Sequence, residues 1–256
     1  MNRTSRNFTA ISLIALSCCT QLVSAQTNDT IPGRKTILKM NVAALITKTF
    51  SFQGERAVGK NMSVALALGF RGKSSLPFKS TFEDFADAGD EDTRKAIRDF
   101  KMSNFSVTPE VRFYLGKKGV FHGFYVAPFA RYAKYDIESP IQVTVQQLNQ
   151  TENIVFNGDV KTFTGGVMIG AQWQLSKLVY LDWWIIGPNY GTVKGHIDGK
   201  KTLDSQEQDA LKEQLKDLDD LPLVKTKYTV DGNGAKVDFD GPWAGLRGGI
   251  NIGFRF

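Results

Sequence analysis

From Ala244 to Phe256 the chain alternates with a period of two. Ala244, Leu246, Gly248, Ile250, Ile252, Phe254 and Phe256 fall on one side of an extended backbone. Gly245, Arg247, Gly249, Asn251, Gly253 and Arg255 fall on the other. Successive side chains of a strand point to opposite faces, so this segment is a strand with one apolar face and one small, polar face carrying two arginines. In a sandwich the apolar face meets a core and the polar face meets water. In a small membrane barrel the apolar face meets lipid and the polar face the lumen.

The same alternation recurs upstream. Met62, Val64, Leu66, Leu68 and Phe70 alternate with Ser63, Ala65, Ala67, Gly69 and Arg71. Phe105 to Leu115 and Phe163 to Leu175 follow it, as does Val179 to Ile185, where Val179, Leu181, Trp183 and Ile185 share the apolar face. Leu38, Met40, Val42, Ala44 and Ile46 mark an opening strand, and Thr49 to Ala57 a weaker second one. Phe124 to Tyr135 is apolar on both faces, with Arg131 marking its inner side. These are eight strands. Short turns near Gly59-Lys60-Asn61, Gly116 to Gly119 and Ser176-Lys177 alternate with long connections at Gly72 to Ser103, Ser139 to Asp159 and His196 to Asp240. Sorting short turns to one end and long loops to the other is the topology of an outer-membrane barrel. An even strand number leaves both chain ends on the short-turn, periplasmic side. Within the long connections, Glu91 to Lys101 reads as a helix. Ser205 reads as the cap of another running through Leu218. Asp231-Gly232-Asn233-Gly234 reads as a hairpin turn on strands that extend past the membrane.

The mean hydropathy of −0.22 looks soluble, but a barrel that turns only alternate residues to lipid looks the same. After Gln26 no stretch reaches the roughly 18 apolar residues of a membrane-spanning helix. At the N-terminus, Arg3 and Arg6, the apolar run from Phe8 to Leu16 and the small residues Val23-Ser24-Ala25 read as a secretory signal cleaved after residue 25. The predicted organisation is a signal peptide over 1–25, a short periplasmic segment over 26–34 and a barrel over 35–256. Both cysteines, Cys18 and Cys19, lie in the signal. Ala15-Leu16-Ser17 and Leu16-Ser17-Cys18 are imperfect lipobox sequences, so cleavage after Ala25 is preferred to lipidation. The mature chain then has no cysteine for a disulfide, a thiolate nucleophile or a metal. Loss of Arg3 and Arg6 lowers the net charge from +6 to +4. No basic cluster interleaved with aromatics accompanies that charge, so nucleic acid is not an expected partner; anionic lipid headgroups are.

The chemistry-bearing residues are few. His196 with Asp198 sits at the top of the seventh strand, where a barrel enzyme acting on lipid A would need a base. A lone rim His beside an Asp is usually a solvated pair, so no catalytic residue is assigned. Asp87-Ala-Gly-Asp90-Glu91-Asp92 is acidic but lacks the alternating spacing of a calcium loop, and Asp231-Gly-Asn233 fails at Ala235. No metal and no cofactor is expected. Lys39, Glu55, Arg71, Glu110, Arg112, Arg131, Asp182, Arg247 and Arg255 form the most informative set, all on the predicted inner face. In an eight-stranded lumen, which has little room beyond side chains, they are expected to pair and plug it. The alternative is a narrow, anion-preferring channel. Phe113, Phe124, Trp173, Phe254 and Phe256 map to the periplasmic rim. Phe50, Phe70, Phe105, Tyr132 and Phe163 map to the outer rim, the two aromatic girdles of a lipid interface.

With Lys39-Met-Asn-Val-Ala-Ala-Leu, Pro109-Glu-Val-Arg-Phe-Tyr-Leu-Gly, Gly123-Phe-Tyr-Val-Ala-Pro and Gly253-Phe-Arg-Phe256, the chain resembles small uncharacterised outer-membrane β-barrels of the Bacteroidota type from about Lys35 to its end. The resemblance implies that Ile250, Ile252, Phe254 and Phe256 are the signal read by the barrel-assembly machinery. It implies an outer-membrane location among lipids and lipopolysaccharide, and an unknown extracellular ligand for the loops. It brings no catalytic pattern. The expectation is an all-β, eight-stranded antiparallel transmembrane barrel of non-enzymatic type, with partly helical outer loops for binding, adhesion or envelope support.

Overall fold

The computed structural model describes residues 34–75, 98–145, 150–216 and 225–256. The expected signal peptide, Cys18 and Cys19, the acidic run 87–92 and Leu218 lie outside the described residues. Among the described residues nine strands follow one another: β1 (Thr36–Asn41), β2 (Phe50–Ala57), β3 (Met62–Ser75), β4 (Lys101–Tyr114), β5 (Gly123–Val145), β6 (Gln150–Gln174), β7 (Val179–Lys200), β8 (Lys225–Asp231) and β9 (Gly234–Arg255). Each of β1 to β6 pairs antiparallel with the next, β7 pairs with β9, and β9 closes on β1. This is a ring of eight, with β8 attached outside it to the upper part of β9. Closure leaves no free edge, which is what allows a sheet to sit in lipid.

The parity of each strand sets its two faces. On β3, Ser63, Ala65, Ala67, Gly69 and Arg71 are buried while Val64, Leu66, Leu68 and Phe70 are exposed. On β9, Leu246 is 73% exposed and Phe254 59%, while Arg247 and Asn251 are buried. A protein whose apolar residues face out and whose charges face in is built for an apolar solvent. Cross-strand register lines up the aromatics. Phe50 lies opposite Phe70, which lies opposite Phe105; Tyr132 lies opposite Phe163. The Phe50 and Phe70 rings stack at 5.4 Å. At the other end, Phe113 pairs with Met62, Trp173 with Leu181 and Phe254 with Val179. Met62 and Phe70 are separated by roughly 26 Å of strand at about 3.3 Å per residue. Allowing for tilt, the space between the two rows approaches the apolar band of about 25 Å of such barrels.

Four local expectations are corrected. The first strand stops at Asn41, not Ile46, because the Asn41 side chain accepts the Ala44 N–H at 3.0 Å and folds Ala43–Thr47 into a 3-10 turn ending at left-handed Lys48. On β7 a bulge inserts Ile185 between the pairs Gly170–Trp184 and Ile169–Ile186. The lipid-facing residue is therefore Ile186, 44% exposed, and not Ile185. The helix α1 (Ser205–Lys216) is capped by Asp204, not by Ser205. The Asp204 carboxylate accepts the N–H groups of Gln206 at 2.9 Å and Glu207 at 2.8 Å, and Glu207 accepts the Asp204 N–H in return. Lys101 belongs to β4 and not to a helix.

β5, β6, β7 and β9 run well past the aromatic row, and β8 thickens the extension. Leu203 and Leu211 of the loop and helix pack with Phe156 and Ala235 against this outer sheet. The turn between β8 and β9 has Asp231 and Gly234 as its closing pair, with the Asp231 carboxylate accepting the Asn233 N–H at 2.7 Å.

Candidate functional site

Six of the nine inward charges meet in one cluster inside the ring. The Lys39 ammonium donates to Glu55, and to Asp182 Oδ2 at 2.6 Å. Arg112 stands at the centre. Its Nη1 donates to Asp182 Oδ2 at 2.7 Å and to Glu55 Oε2 at 3.1 Å, and its Nε to Glu110 Oε1 at 2.6 Å. Arg247 Nη1 donates to Glu110 Oε2 at 2.5 Å. The side chains of Lys39, Glu55, Glu110, Arg112 and Asp182 have no solvent exposure, and Arg247 has 8%. Three cations face three carboxylates, so the cluster is balanced. That balance is what permits it to be buried, because an unpaired ion there would carry a desolvation cost of several kcal/mol.

Neutral side chains on the same inner face complete the cluster. The Ser63 and Tyr114 hydroxyls donate to Glu55 Oε1, and the Tyr125 hydroxyl donates to Asp182 Oδ1 at 2.8 Å. Gln53 bridges, donating to Glu110 at 2.9 Å and accepting from Arg112 at 2.9 Å. The Gln172 carbonyl accepts from Lys39 at 3.0 Å. The Arg112 guanidinium also lies 4.4 Å over the Tyr125 ring. Inward parity is the sequence signal for these residues. What parity cannot give is height: Gln53, Tyr114, Tyr125 and Gln172 join the charges because register places them level with Arg112 and Asp182.

Arg71, Arg131 and Arg255 face inward but stand apart from the cluster. Arg71 donates to the Ser74 hydroxyl at 2.9 Å and to the Ser75 carbonyl near the upper end of β3. Arg131 donates to the Thr108 hydroxyl at 3.1 Å. Arg255 lies at the lower end, donating to the Tyr180 hydroxyl at 2.8 Å and packing 5.2 Å over Phe121. Phe121 is a residue that alternation does not single out. It is fully buried at positive φ (68°), and the turn that carries it folds back under the barrel against Tyr114 and Tyr180. His122 beside it contacts Gln174 at 3.2 Å. The lumen is thus filled from below by aromatics and at mid-height by ion pairs.

Above the ion pairs the lumen opens as a cup of about 330 Å³ whose lining includes Trp184, Arg247 and Arg131. Among the described residues, no acidic side chain lines it.

His196 is on the outer extension, beyond the aromatic row. Its Nδ1 contacts Asp238 at 2.7 Å and its Nε2 contacts Asp198 at 2.9 Å. These carboxylates, Asp238 foremost, raise the imidazole pKa above its ordinary value. Both nitrogens are engaged by carboxylates, which favours the imidazolium and leaves neither nitrogen turned toward a nucleophile. Among the described residues no group of three His, Cys, Asp or Glu side chains is placed to hold a metal ion.

The proposed periplasmic girdle residues Phe113, Phe124, Phe254 and Phe256 are all exposed on the outer surface, and Trp173 is half-buried there. Ile250 is exposed and Ile252 half-buried on the same face of β9 as the terminal phenylalanines.

Two of the solved structures that this chain resembles are of low sequence identity. One is the translocator domain of the autotransporter NalP from Neisseria meningitidis, 10% identical, covering 97% of this chain and 98% of that one with a TM-score of 0.36. The other is a major outer membrane protein from Thermus thermophilus, 14% identical, covering 87% and 98% with a TM-score of 0.35. No curated protein matches. A family described as "Protein of unknown function (DUF3575)" matches residues 11–196, nearly three quarters of the sequence, and the chain belongs to that family.

Proposed function

We propose that the protein is an outer-membrane barrel of non-enzymatic type, a closed scaffold that holds outer strands and loops above the membrane for binding or envelope support. The observation that carries this is the fully buried, charge-balanced cluster around Arg112 and Asp182, which occupies the lumen where a channel would need water. A conducting pore keeps a path whose lining groups face the ion or water; here the inward charges of the cluster face one another.

Export through a signal at 1–25 and insertion by the barrel-assembly machinery, read from Ile250, Ile252, Phe254 and Phe256, complete the proposal, with outer-membrane lipids and lipopolysaccharide as the surroundings. Fractionation of cells combined with surface proteolysis tests it. The expected result is a protein in the outer-membrane fraction, clipped near α1 on intact cells and otherwise protected. Recovery from the inner membrane or the soluble fraction would contradict it.

A further inference from the structure

The charge balance of the lumen is complete without Arg131. Lys39, Arg112 and Arg247 already answer Glu55, Glu110 and Asp182. Arg131 is a surplus cation on the wall of the cup above them. Among the described residues it has no carboxylate within ion-pair distance; it donates to the Thr108 hydroxyl at 3.1 Å, and Tyr135 shares the lining with it. The cup floor adds Arg247, whose Nη1 is taken by Glu110 but whose Nη2 is buried with no partner. The hydroxyl of Thr164, also on the lining, is likewise buried without one. Buried polar groups are nearly always hydrogen-bonded, so two orphans on one cavity call for a guest, either water or a ligand.

The rest of the lining describes the guest. One surplus cation, Arg131, beside the remaining donor edge of Arg247 and with no acid on the lining, selects an anion. A planar guanidinium with a free edge suits a carboxylate. The walls otherwise present hydroxyls and amides, among them Thr49, Ser51, Ser106 and Asn189, in equal measure with apolar and aromatic surface, so the body of the guest carries both hydroxyl groups and C–H faces. Trp184 lies under Arg247 at 4.0 Å and holds its guanidinium in place, while Tyr135 and Trp243, 6.2 Å apart on the lining, offer flat faces for sugar-like C–H surfaces. About 330 Å³ is at the small end of ligand pockets and fits one sugar-sized molecule.

We infer that the upper lumen is a binding site for a small hydroxylated carboxylate, of monosaccharide-acid size, held by Arg131 and Arg247. The inference rests on the proposed closed barrel only in that the ion-pair cluster forms the floor. Conductance measurements test that closure, and equilibrium binding tests the cup, so the two fail separately.

The test is isothermal titration calorimetry of the folded barrel in non-ionic micelles, with glucuronate and with glucose. Saturable heat with glucuronate and none with glucose is expected. Arg131→Gln should weaken glucuronate binding about tenfold or more, the loss expected for one charged hydrogen bond. Arg131→Lys should recover part of it. Equal heats from the acid and the neutral sugar, no saturable heat at all (the orphan groups then bind water), or equal affinity in Arg131→Gln would each overturn the inference. The comparison of the two sugars on the unaltered protein stands even where a variant does not fold.

Discussion

Arg112 and Asp182, 70 residues apart in sequence, join β4 to β7 across the lumen through a 2.7 Å hydrogen bond between two fully buried side chains. The pair is the centre of the closure. Asp182→Asn removes the carboxylate and leaves Arg112 and Lys39 with an incomplete set of counter-ions. A loss of about 3–5 kcal/mol in barrel stability is expected, the range for breaking one partner of a buried pair. Urea unfolding in micelles measures it. Arg255→Gln at the half-buried lower rim, where the guanidinium donates to the Tyr180 hydroxyl and leaves no carboxylate unpaired, should cost less than Asp182→Asn in the same assay.

Lys39 and Glu55 face each other within the same cluster, and Lys39 also serves Asp182. Lys39→Met alone strands Glu55 and Asp182 with one cation fewer, and Glu55→Gln alone leaves a surplus cation. Together they restore the balance. The double variant is expected to be less destabilised than the sum of the two singles, by roughly 1–3 kcal/mol. A double-mutant cycle on urea midpoints reads that difference.

Gly170 on β6 leaves room for Tyr125. A Cβ there would stand 2.3 Å from the Tyr125 hydroxyl oxygen and 2.8 Å from the Trp183 carbonyl oxygen. Tyr125 donates to Asp182, so Gly170→Ala displaces a member of the ion cluster as well as crowding the wall. A loss of about 1–3 kcal/mol is expected, the range for overpacking. Gly72, where an added Cβ meets nothing within 4 Å, is the control and should tolerate alanine.

His196 should titrate above its ordinary value of 6.5, because Asp238 and Asp198 favour the imidazolium. A raised folded-state pKa means that the ring contributes stability below the unfolded-state value and loses it as the pH rises through the raised one. The outer extension should therefore loosen on going from mildly acidic to alkaline conditions. NMR of the imidazole carbons follows the titration, and Asp238→Asn should move the midpoint back toward 6.5.

Parity made much of this architecture legible. One residue of slip would turn the apolar positions inward and the charges outward, so strand faces are strongly specified; Val64, Leu66 and Leu68 against Ser63, Ala65 and Ala67 leave one reading. Ile185 escaped because a bulge hides one residue, and nothing local marks it. Asp204 and Ser205 are adjacent and both suit a helix cap; only the position of the first turn decides between them. The inward charges were readable one by one, but their partners depend on closure of the ring, which sets the height of each strand against strands far away in sequence. Phe121 lies in a turn, where no period operates, and its place under the barrel follows from a positive φ that the sequence does not announce.

The cluster of Lys39, Glu55, Glu110, Arg112, Asp182 and Arg247 fills the lumen, and a filled lumen does not conduct. Planar-bilayer recording of the purified barrel tests it most directly. No steady conductance is expected from the unaltered protein, whose lumen is filled by the ion pairs and by the aromatic turn beneath them. A stable, anion-selective conductance from the unaltered barrel would contradict the account.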